Sequence, residues 1–385
     1  MAVSSIPRSV PRSPASTLRR NPTAAWRHLD LVLLGCIAAV SCLGALMVYS
    51  ATRGPVPPYR LTFFEKQALY VLVGFAVLVV TVVIDYRHFR DWALVFYGGA
   101  CALLLFVVSP LGSKSNGAQS WFQLGSFQLQ PSEFAKLALI LAIANVASGF
   151  FGDIDRRRLY ILLGVAALPL ALIMLQPDLG TALVLTVITA GALLIAGAQG
   201  KHLVALVLVA VLGATVMLNS SFLAQYQKDR LTSFTHQEEG VRGETYNITQ
   251  SKTAIGAGGT FGEGLFQGSQ TRLGNVPEQH TDFIFTAVGE QLGFAGSATL
   301  LALFCIIAWR VWRTAQLARD EFGMIVCVGV LALFMFQIFE NVGMTMGIMP
   351  VTGLPLPLVS YGGSSTIAEF AALGLVLNVH MRRFA

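Results

Sequence analysis

Charged side chains are scarce in this sequence. Only 12% of its 385 residues are Asp, Glu, Lys or Arg, whereas 55% are hydrophobic and the mean hydropathy is +0.66. Because soluble domains carry about 25% charged residues, this composition excludes an ordinary soluble protein and indicates a polytopic membrane protein. The net charge of +6 is dispersed over many short segments rather than gathered in one patch, which argues against nucleic acid as a partner.

Cysteine is rare as well. The five cysteines all lie in apolar segments, and no two of them form a CxxC pair. This pattern argues against disulfides and cysteine-bound metal, and it predicts packing roles instead. The glycine-rich stretch 256–274 has no GK[ST] sequence and follows no predicted strand, which excludes a phosphate-binding loop of the common kinds.

Ten apolar runs are each close to the ~20 residues that a bilayer requires. We therefore predict an all-α polytopic membrane protein with ten transmembrane helices, and a large external loop at about 220–281 between the seventh and eighth helices. Residues 1–27 are predicted to form a disordered cytoplasmic tail, followed by a single transmembrane domain over 28–385. The predicted spans are 31–50, 63–84, 92–109, 132–149, 159–176, 181–199, 202–219, 283–309, 322–348 and 364–380.

The distribution of Lys and Arg predicts the orientation of these spans. Basic residues are concentrated in the tail and in the short loops on its side of the membrane. Short basic loops remain in the cytoplasm, whereas long loops count little in this rule. An even number of spans returns the chain to its starting side, so both termini are predicted to be cytoplasmic.

Two carboxylates and a histidine lie within five residues where the long loop meets the apolar run at 283. They are Glu278, His280 and Asp282. An acid at a membrane surface can have its proton affinity tuned by partial desolvation, which makes Asp282 a candidate base. The plain alternative is a helix start, with Thr281 or Asp282 as the N-cap.

Ionisable residues near the starts of the predicted spans form a second set. Glu133 and Lys136 lie three residues apart, on one face of a helix, and can form an ion pair. A helix start capped by Ser132 explains Glu133 but leaves Lys136 unexplained, and a lysine at this depth could hold a phosphate or pyrophosphate. Asp178, in a short external connector, is either a turn residue or a binding residue.

The segment 347–365 contains three prolines and four glycines between two predicted spans, so a regular helix is excluded. Irregular backbone at this depth is tolerated only against protein or a watery cavity. We interpret the segment as an external loop that dips into a cavity mouth, with polar lining from Ser360, Tyr361, Ser364 and Ser365.

Other polar residues leave alternatives open. Glu340 and Asn341, in the middle of a span, either join helices or have a functional role. Lys252 and Arg272, in the long loop, are cations that could meet a pyrophosphate. A base and a cation at one membrane surface together suggest glycosyl or phosphoryl transfer on a lipid-linked substrate.

Four motifs in this order resemble the SEDS proteins (shape, elongation, division and sporulation), over about residues 28–385. Details in 250–256 and 350–353 are more similar to elongation members than to division members. The motifs are Gln130-Pro-Ser-Glu-Phe-Ala-Lys136, Gln176-Pro-Asp-Leu-Gly-Thr181, Pro277-Glu-Gln-His-Thr-Asp-Phe-Ile-Phe285, and Gly347-Ile-Met-Pro-Val-Thr-Gly353 with Pro357-Leu-Val-Ser-Tyr-Gly-Gly-Ser-Ser365.

The resemblance implies a peptidoglycan glycosyltransferase that polymerises lipid II at the outer face of the bacterial cytoplasmic membrane. It implies a class B penicillin-binding protein as partner, Asp282 as the essential aspartate and catalytic base, and Glu133 and Lys136 at a central cavity. Glu278 and His280 are neighbours without an assigned role. No dedicated metal site is implied, although a divalent cation, Mg²⁺ or Mn²⁺, is expected to enter with the substrate. A lipid II flippase and a non-catalytic scaffold are the rival interpretations.

Overall fold

The computed structural model describes residues 28–54, 56–110, 112–115, 118–125, 127–152, 154–201, 204 and 244–384. The described part is mostly helical, as predicted. The predicted tail 1–27, the predicted seventh span at 202–219 (apart from residue 204) and the stretch 220–243 of the long loop lie outside the described residues, so the predicted total of ten spans stays a prediction.

Eleven helices of at least five residues occur within the described ranges. Seven of these (α1 to α5, α9 and α10) are long and apolar enough to cross a membrane, and α6 is apolar but shorter, with 17 residues. In chain order the helices are α1 Leu31–Thr52, α2 Thr62–Val83, α3 Tyr86–Val108, α4 Pro131–Ser148, α5 Arg156–Met174, α6 Leu179–Ile195, α7 Glu244–Ala257, α8 Ser269–Leu273, α9 Ile284–Gln316, α10 Glu321–Thr345 and α11 Gly363–Met381.

The two largest differences from the predicted spans are at the start of α3 and at the end of α9. Helix α3 begins at Tyr86 rather than 92, because the carboxylate of Asp85 caps it by accepting a 3.0 Å hydrogen bond from the amide of Arg87. Helix α9 continues to Gln316 and is kinked at Gly293, where φ is 65°. A Cβ at Gly293 would lie 2.3 Å from the amide nitrogen of Gly262, so glycine is required for the long loop to approach the helix.

A three-stranded antiparallel sheet between α3 and α4 is absent from the sequence prediction. Its strands are β1 Ser113–Ser115, β2 Ala118–Leu124 and β3 Phe127–Leu129, in the order β1-β2-β3. Gly125, with a φ of 64°, lies in the short connection between β2 and β3, where a left-handed conformation favours glycine. Strands this short carry little periodic signal, so the segment was expected to be loop only.

Helix α4 lies at the centre of the bundle. It packs against α3, α5, α6, α10 and α11, and most of its side chains are buried. The outer helices α2, α3 and α5 instead expose apolar side chains such as Leu72, Leu94 and Tyr160. A bundle with an apolar exterior is the arrangement expected of a protein that is surrounded by lipid.

Polar contacts join α1, α9 and α11 at one end of the described bundle, where α1 begins and where α9 and α11 end. The guanidinium Nε of Arg310 lies 2.6 Å from Oδ2 of Asp30. Nearby, the hydroxyl of Thr314 lies 3.1 Å from Nδ1 of His380. The start of α1 and the end of α11 therefore lie on the same side of the described bundle.

Candidate active site

A cavity of about 640 Å3 lies at the opposite end of the bundle, within the usual range for ligand pockets of about 300–1,000 Å3. The beginnings of α2, α4, α6, α9 and α11 contribute to its wall, together with the irregular segment 351–355 and the β2–β3 hairpin. Eight of the residues that the sequence predicts for the site or its lining do line the cavity. They are Glu133, Asp178, Glu278, His280, Asp282, Tyr361, Ser364 and Ser365.

Asp282 is presented to the cavity by a tight turn. Glu278 has a φ of 48°, and its carbonyl accepts hydrogen bonds from the amides of Thr281 and Asp282, each at 3.2 Å. The N-cap of α9 is Phe283, and it makes no side-chain cap bond. The alternative that Thr281 or Asp282 caps this helix is therefore wrong, and the Asp282 carboxylate lines the cavity instead.

Two buried side chains hold the backbone of this turn against the irregular segment. The amide nitrogen Nδ2 of Asn341 donates to the carbonyls of Asp282 at 2.7 Å and of Leu354 at 2.8 Å. The hydroxyl of Ser360 donates to the carbonyl of Thr281 at 2.5 Å. Asn341 thus joins the candidate base to its surroundings, and Ser360, which was predicted to line the cavity, lies behind the wall and supports it.

The irregular segment comes closest to the carboxylate at Gly353. The φ of Gly353 is 73°, and a Cβ placed there would lie 3.3 Å from Oδ2 of Asp282. Glycine therefore satisfies two requirements at once, the left-handed backbone and the narrow gap beside the acid. The segment is irregular up to Gly362, as predicted, since α11 begins only at Gly363.

His280 lies in the same wall among aromatic rings. Its ring centroid lies 4.9 Å from that of Phe63 and 5.6 Å from that of Tyr361. Burial lowers the pKa of His280 below its usual value, although the carboxylate of Glu278 acts in the opposite direction. The imidazole is therefore neutral at pH 7 and can both donate and accept hydrogen bonds.

Glu133 and Lys136 form the ion pair that their spacing predicts. The ammonium Nζ of Lys136 lies 2.7 Å from each carboxylate oxygen of Glu133, and the two side chains are 2% and 3% exposed. Glu133 lines the cavity and Lys136 does not. The alternative of a cap by Ser132 is wrong, because Gln130 occupies the N-cap without a side-chain bond and the buried hydroxyl of Ser132 has no hydrogen-bond partner among the described residues.

Asp178 and Ser364, two further lining residues, also hold local structure. The carboxylate of Asp178 accepts bonds from the amide of Thr181 at 2.9 Å and from its hydroxyl at 2.7 Å, which caps α6. The hydroxyl of Ser364 donates to the carbonyl of Gln128 and accepts from the amide of Gln130, both at 3.0 Å. Asp178 is thus a helix cap that borders the cavity, and its role in binding stays a prediction.

The cations predicted from the long loop are not brought to the cavity. Lys252 on α7 and Arg272 on α8 are exposed, and neither lines it. Lys66, in the first turn of α2, is the one lysine or arginine among the described lining residues. Sequence reasoning counted Lys66 only as a loop charge. The signal it left out is that Phe63, Lys66 and Tyr70 share one face of the helix.

Within the described ranges, no group of three or more His, Cys, Asp or Glu side chains is arranged to hold a metal ion. The Asp, Glu, His and Lys side chains of the described cavity wall are the carboxylates of Asp282, Glu278, Asp178 and Glu133, the imidazole of His280 and the ammonium of Lys66. Such a wall can accept a proton from a substrate at one point and stabilise negative charge at another.

The family of cell cycle proteins that includes FtsW, RodA and SpoVE matches residues 30–384. The chain belongs to this family. The resemblance to the SEDS proteins is thereby confirmed over almost the whole predicted transmembrane domain.

Curated members of the FtsW/RodA/SpoVE family are similar along nearly their full length. A probable peptidoglycan glycosyltransferase FtsW of Trichlorobacter lovleyi is 37% identical, over 91% of this chain and 92% of its own. The peptidoglycan glycosyltransferase MrdB of Escherichia coli K12 is 34% identical, over 92% and 94%. Stage V sporulation protein E of Bacillus subtilis is 36% identical, over 91% and 96%.

Solved structures of the family have the same fold. The rod shape determining protein RodA of Thermus thermophilus superposes with a TM-score of 0.70 and 31% identity, over 93% of this chain and 98% of that one. A chain from a structure described as a peptidoglycan synthase complex that coordinates polymerization and crosslinking gives a TM-score of 0.78 and 31% identity, over 92% and 98%.

Proposed function

We propose that this chain is a peptidoglycan glycosyltransferase that polymerises lipid II into glycan strands during cell elongation. The observation that carries the proposal is the placement of Asp282 in a cavity at one end of a membrane bundle, with the ammonium of Lys66 in the same wall. The relatives named as peptidoglycan glycosyltransferases support the reaction class. Since both FtsW and MrdB are similar to the chain, the elongation role rests on the motif details at 250–256 and 350–353.

The proposed chemistry is one inverting glycosyl transfer. Asp282 removes the proton from a sugar hydroxyl at one chain end as the hydroxyl oxygen attacks the anomeric carbon of the other sugar. The bond from that carbon to the pyrophosphate oxygen breaks, and undecaprenyl pyrophosphate leaves with the bonding electrons. The proton remains on Asp282 until water takes it. Neutral His280, beside the base, can orient the hydroxyl by a hydrogen bond.

Lys66 is the cation that we assign to the departing pyrophosphate. A lysine holds a phosphate as a point charge, and the developing negative charge needs such a partner. Lys136 was predicted for this contact, but it is buried and paired with Glu133. A direct contact between Lys136 and pyrophosphate would require its ammonium to leave or share that pair. A divalent cation that enters with the pyrophosphate is compatible with the acids of the wall.

Replacing Lys66 by glutamine is expected to lower kcat/KM for lipid II about 10- to 100-fold, because a hydrogen bond to a charged group contributes about 1.5–3 kcal/mol and this contact strengthens as charge develops on the pyrophosphate. The measurement is the initial rate of polymerisation at a series of lipid II concentrations. The matched control is Lys252→Gln, which removes an exposed lysine outside the cavity and is expected to leave kcat/KM unchanged. A larger effect of Lys252→Gln would place the pyrophosphate at the long loop instead.

The proposed glycosyltransferase function implies a location in the cell and a partner protein. We place both termini in the cytoplasm and the cavity at the outer face of the bacterial cytoplasmic membrane, on the distribution of basic residues. The partner is a class B penicillin-binding protein, which cross-links the strands. The similarity to a chain of a peptidoglycan synthase complex supports an assembly of this kind.

The placement of Asp282, Glu278 and Asp178 at one end of the described bundle favours surface chemistry over transport of lipid II. A flippase needs a polar path through the membrane, whereas here the end opposite the cavity is joined by the contacts of Asp30 with Arg310 and of Thr314 with His380. A scaffold has no need of an acid held in a cavity.

Purified protein, with and without its cognate penicillin-binding protein, tests the proposal directly. Lipid II is supplied in detergent for strand formation, followed on a gel, and in liposomes for movement between leaflets. We expect strands from the wild type when the partner is present, and the reaction without the partner measures how far activity depends on it. Movement of labelled lipid II without any strands would instead establish the flippase. Absence of both activities, with and without the partner, would leave the scaffold interpretation.

A further inference from the structure

The β2–β3 hairpin has one face that the proposed reaction does not use. In its register, Phe122 is opposite Leu129 and Gln123 is opposite Gln128. Because side chains alternate along a strand, Trp121 and Gln123 share one face of β2. Gln128 shares that face from β3, and Gln130 continues it just beyond the strand. We call these four residues the polar hairpin face: Trp121, Gln123, Gln128 and Gln130.

All four residues of the polar hairpin face line the cavity that Asp282 also lines. The other face of the hairpin is held by the protein. The ring of Phe127 lies 5.9 Å from that of Tyr70, centroid to centroid, and packs so closely on Gly363 that a Cβ there would lie 2.7 Å from the ring. The hydroxyl of Ser364 bonds the backbone on both sides of Leu129. The hairpin is therefore fixed in place with its polar face toward the cavity.

The chemistry of the polar hairpin face differs from that of the rest of the wall. It contains no charged residue, and its three glutamine amides make no side-chain hydrogen bond to other described residues. Each amide offers two donors and one acceptor oxygen, and cross-strand neighbours such as Gln123 and Gln128 lie about 5 Å apart at Cβ. The indole adds a broad apolar surface with one N–H donor.

Charge complementarity indicates which part of a substrate fits the polar hairpin face. Paired neutral donors and acceptors beside an aromatic plane suit an uncharged ring that carries hydroxyl and amide groups, namely an N-acetylated sugar. A pyrophosphate requires cations, and the described cation of the wall is Lys66 on α2. A free peptide carboxylate would likewise find no charged partner on this face.

We propose that the polar hairpin face is a sugar subsite, which binds an N-acetylhexosamine ring of the glycan substrate within the cavity of Asp282. The proposal rests on the proposed function, because it names the part of that substrate which the hairpin recognises. Gln123 and Gln128 bond the hydroxyl and acetamido groups, and Trp121 packs on the ring.

Equilibrium titrations of the full-length protein test the subsite apart from catalysis. The labelled probes are a lipid-linked disaccharide with its stem peptide, the same disaccharide without the peptide, and undecaprenyl pyrophosphate without any sugar. The double variant Gln123→Leu with Gln128→Leu is expected to weaken binding of both sugar-bearing probes about tenfold, since two hydrogen bonds are lost. Its affinity for the sugar-free probe is expected to stay that of the wild type.

The matched control is Phe122→Leu, a change on the opposite face of the same hairpin, which is expected to leave all three affinities unchanged. Three results for the double variant would each overturn the sugar subsite. Its affinity for the sugar-free probe could fall equally, its affinity could fall only for the probe that carries the stem peptide, or no affinity could fall. A wild type that binds the disaccharide but forms no strands would refute the proposed polymerisation and leave the subsite standing.

Discussion

Asp282→Asn is expected to reduce the rate of glycan-strand formation about 10²–10⁴-fold, the usual contribution of a general base. The amide of asparagine cannot accept the proton of the attacking hydroxyl at neutral pH. The replacement is nearly isosteric, and the bond from Asn341 to the carbonyl of residue 282 does not depend on the side chain. Binding of lipid II is therefore expected to persist. The measurement is the initial rate of polymerisation at saturating lipid II.

The matched control for this variant is Asp178→Asn. It also removes a carboxylate from the cavity wall, but asparagine caps helices as well as aspartate does, so α6 keeps its N-cap. We expect Asp178→Asn to polymerise at close to the wild-type rate. If the two variants lose activity equally, the rate depends on the total negative charge of the cavity, and Asp282 is not the base.

The sequence predicts the helices well because apolar runs of the required length leave few alternatives. The boundaries of α2, α4 and α11 lie within one residue of the predicted spans. The sheet between α3 and α4 could not be predicted in this way, since its strands have three to seven residues. Its role at the cavity follows from cross-strand register, and register becomes visible only when the strands are paired.

The sequence predicts the acidic residues of the candidate site, but it does not predict the lysine of the cavity wall. Asp282, Glu278 and Asp178 stand out because they interrupt apolar sequence. Lys66 does not stand out, because a lysine at the start of a span is typical of any membrane helix. Whether such a lysine faces lipid, solvent or a cavity depends on the rotation of α2 against its neighbours. That rotation is set by contacts between segments far apart in the sequence, such as Phe63 with Tyr361.

The second large expected effect is a loss of stability when the ion pair of Glu133 and Lys136 is broken. Lys136→Met leaves the Glu133 carboxylate buried without its cation, and breaking a buried ion pair from one side costs about 3–5 kcal/mol. We expect a clear fall in the midpoint of thermal unfolding in detergent. The measurement is the thermal unfolding of purified wild type and variant in the same detergent, followed by tryptophan fluorescence.

The double variant Glu133→Gln with Lys136→Met shows whether the loss comes from an uncompensated charge. With both charges absent, most of the stability is expected to return, because neutral replacements of a buried pair are often tolerated. A double variant as unstable as Lys136→Met would contradict this explanation. Its polymerisation rate then decides the role of the pair. A stable and active double variant means that the pair only supports the wall. A stable and inactive one means that Glu133 or Lys136 acts on the substrate, as the charge of Lys136 at this depth suggests.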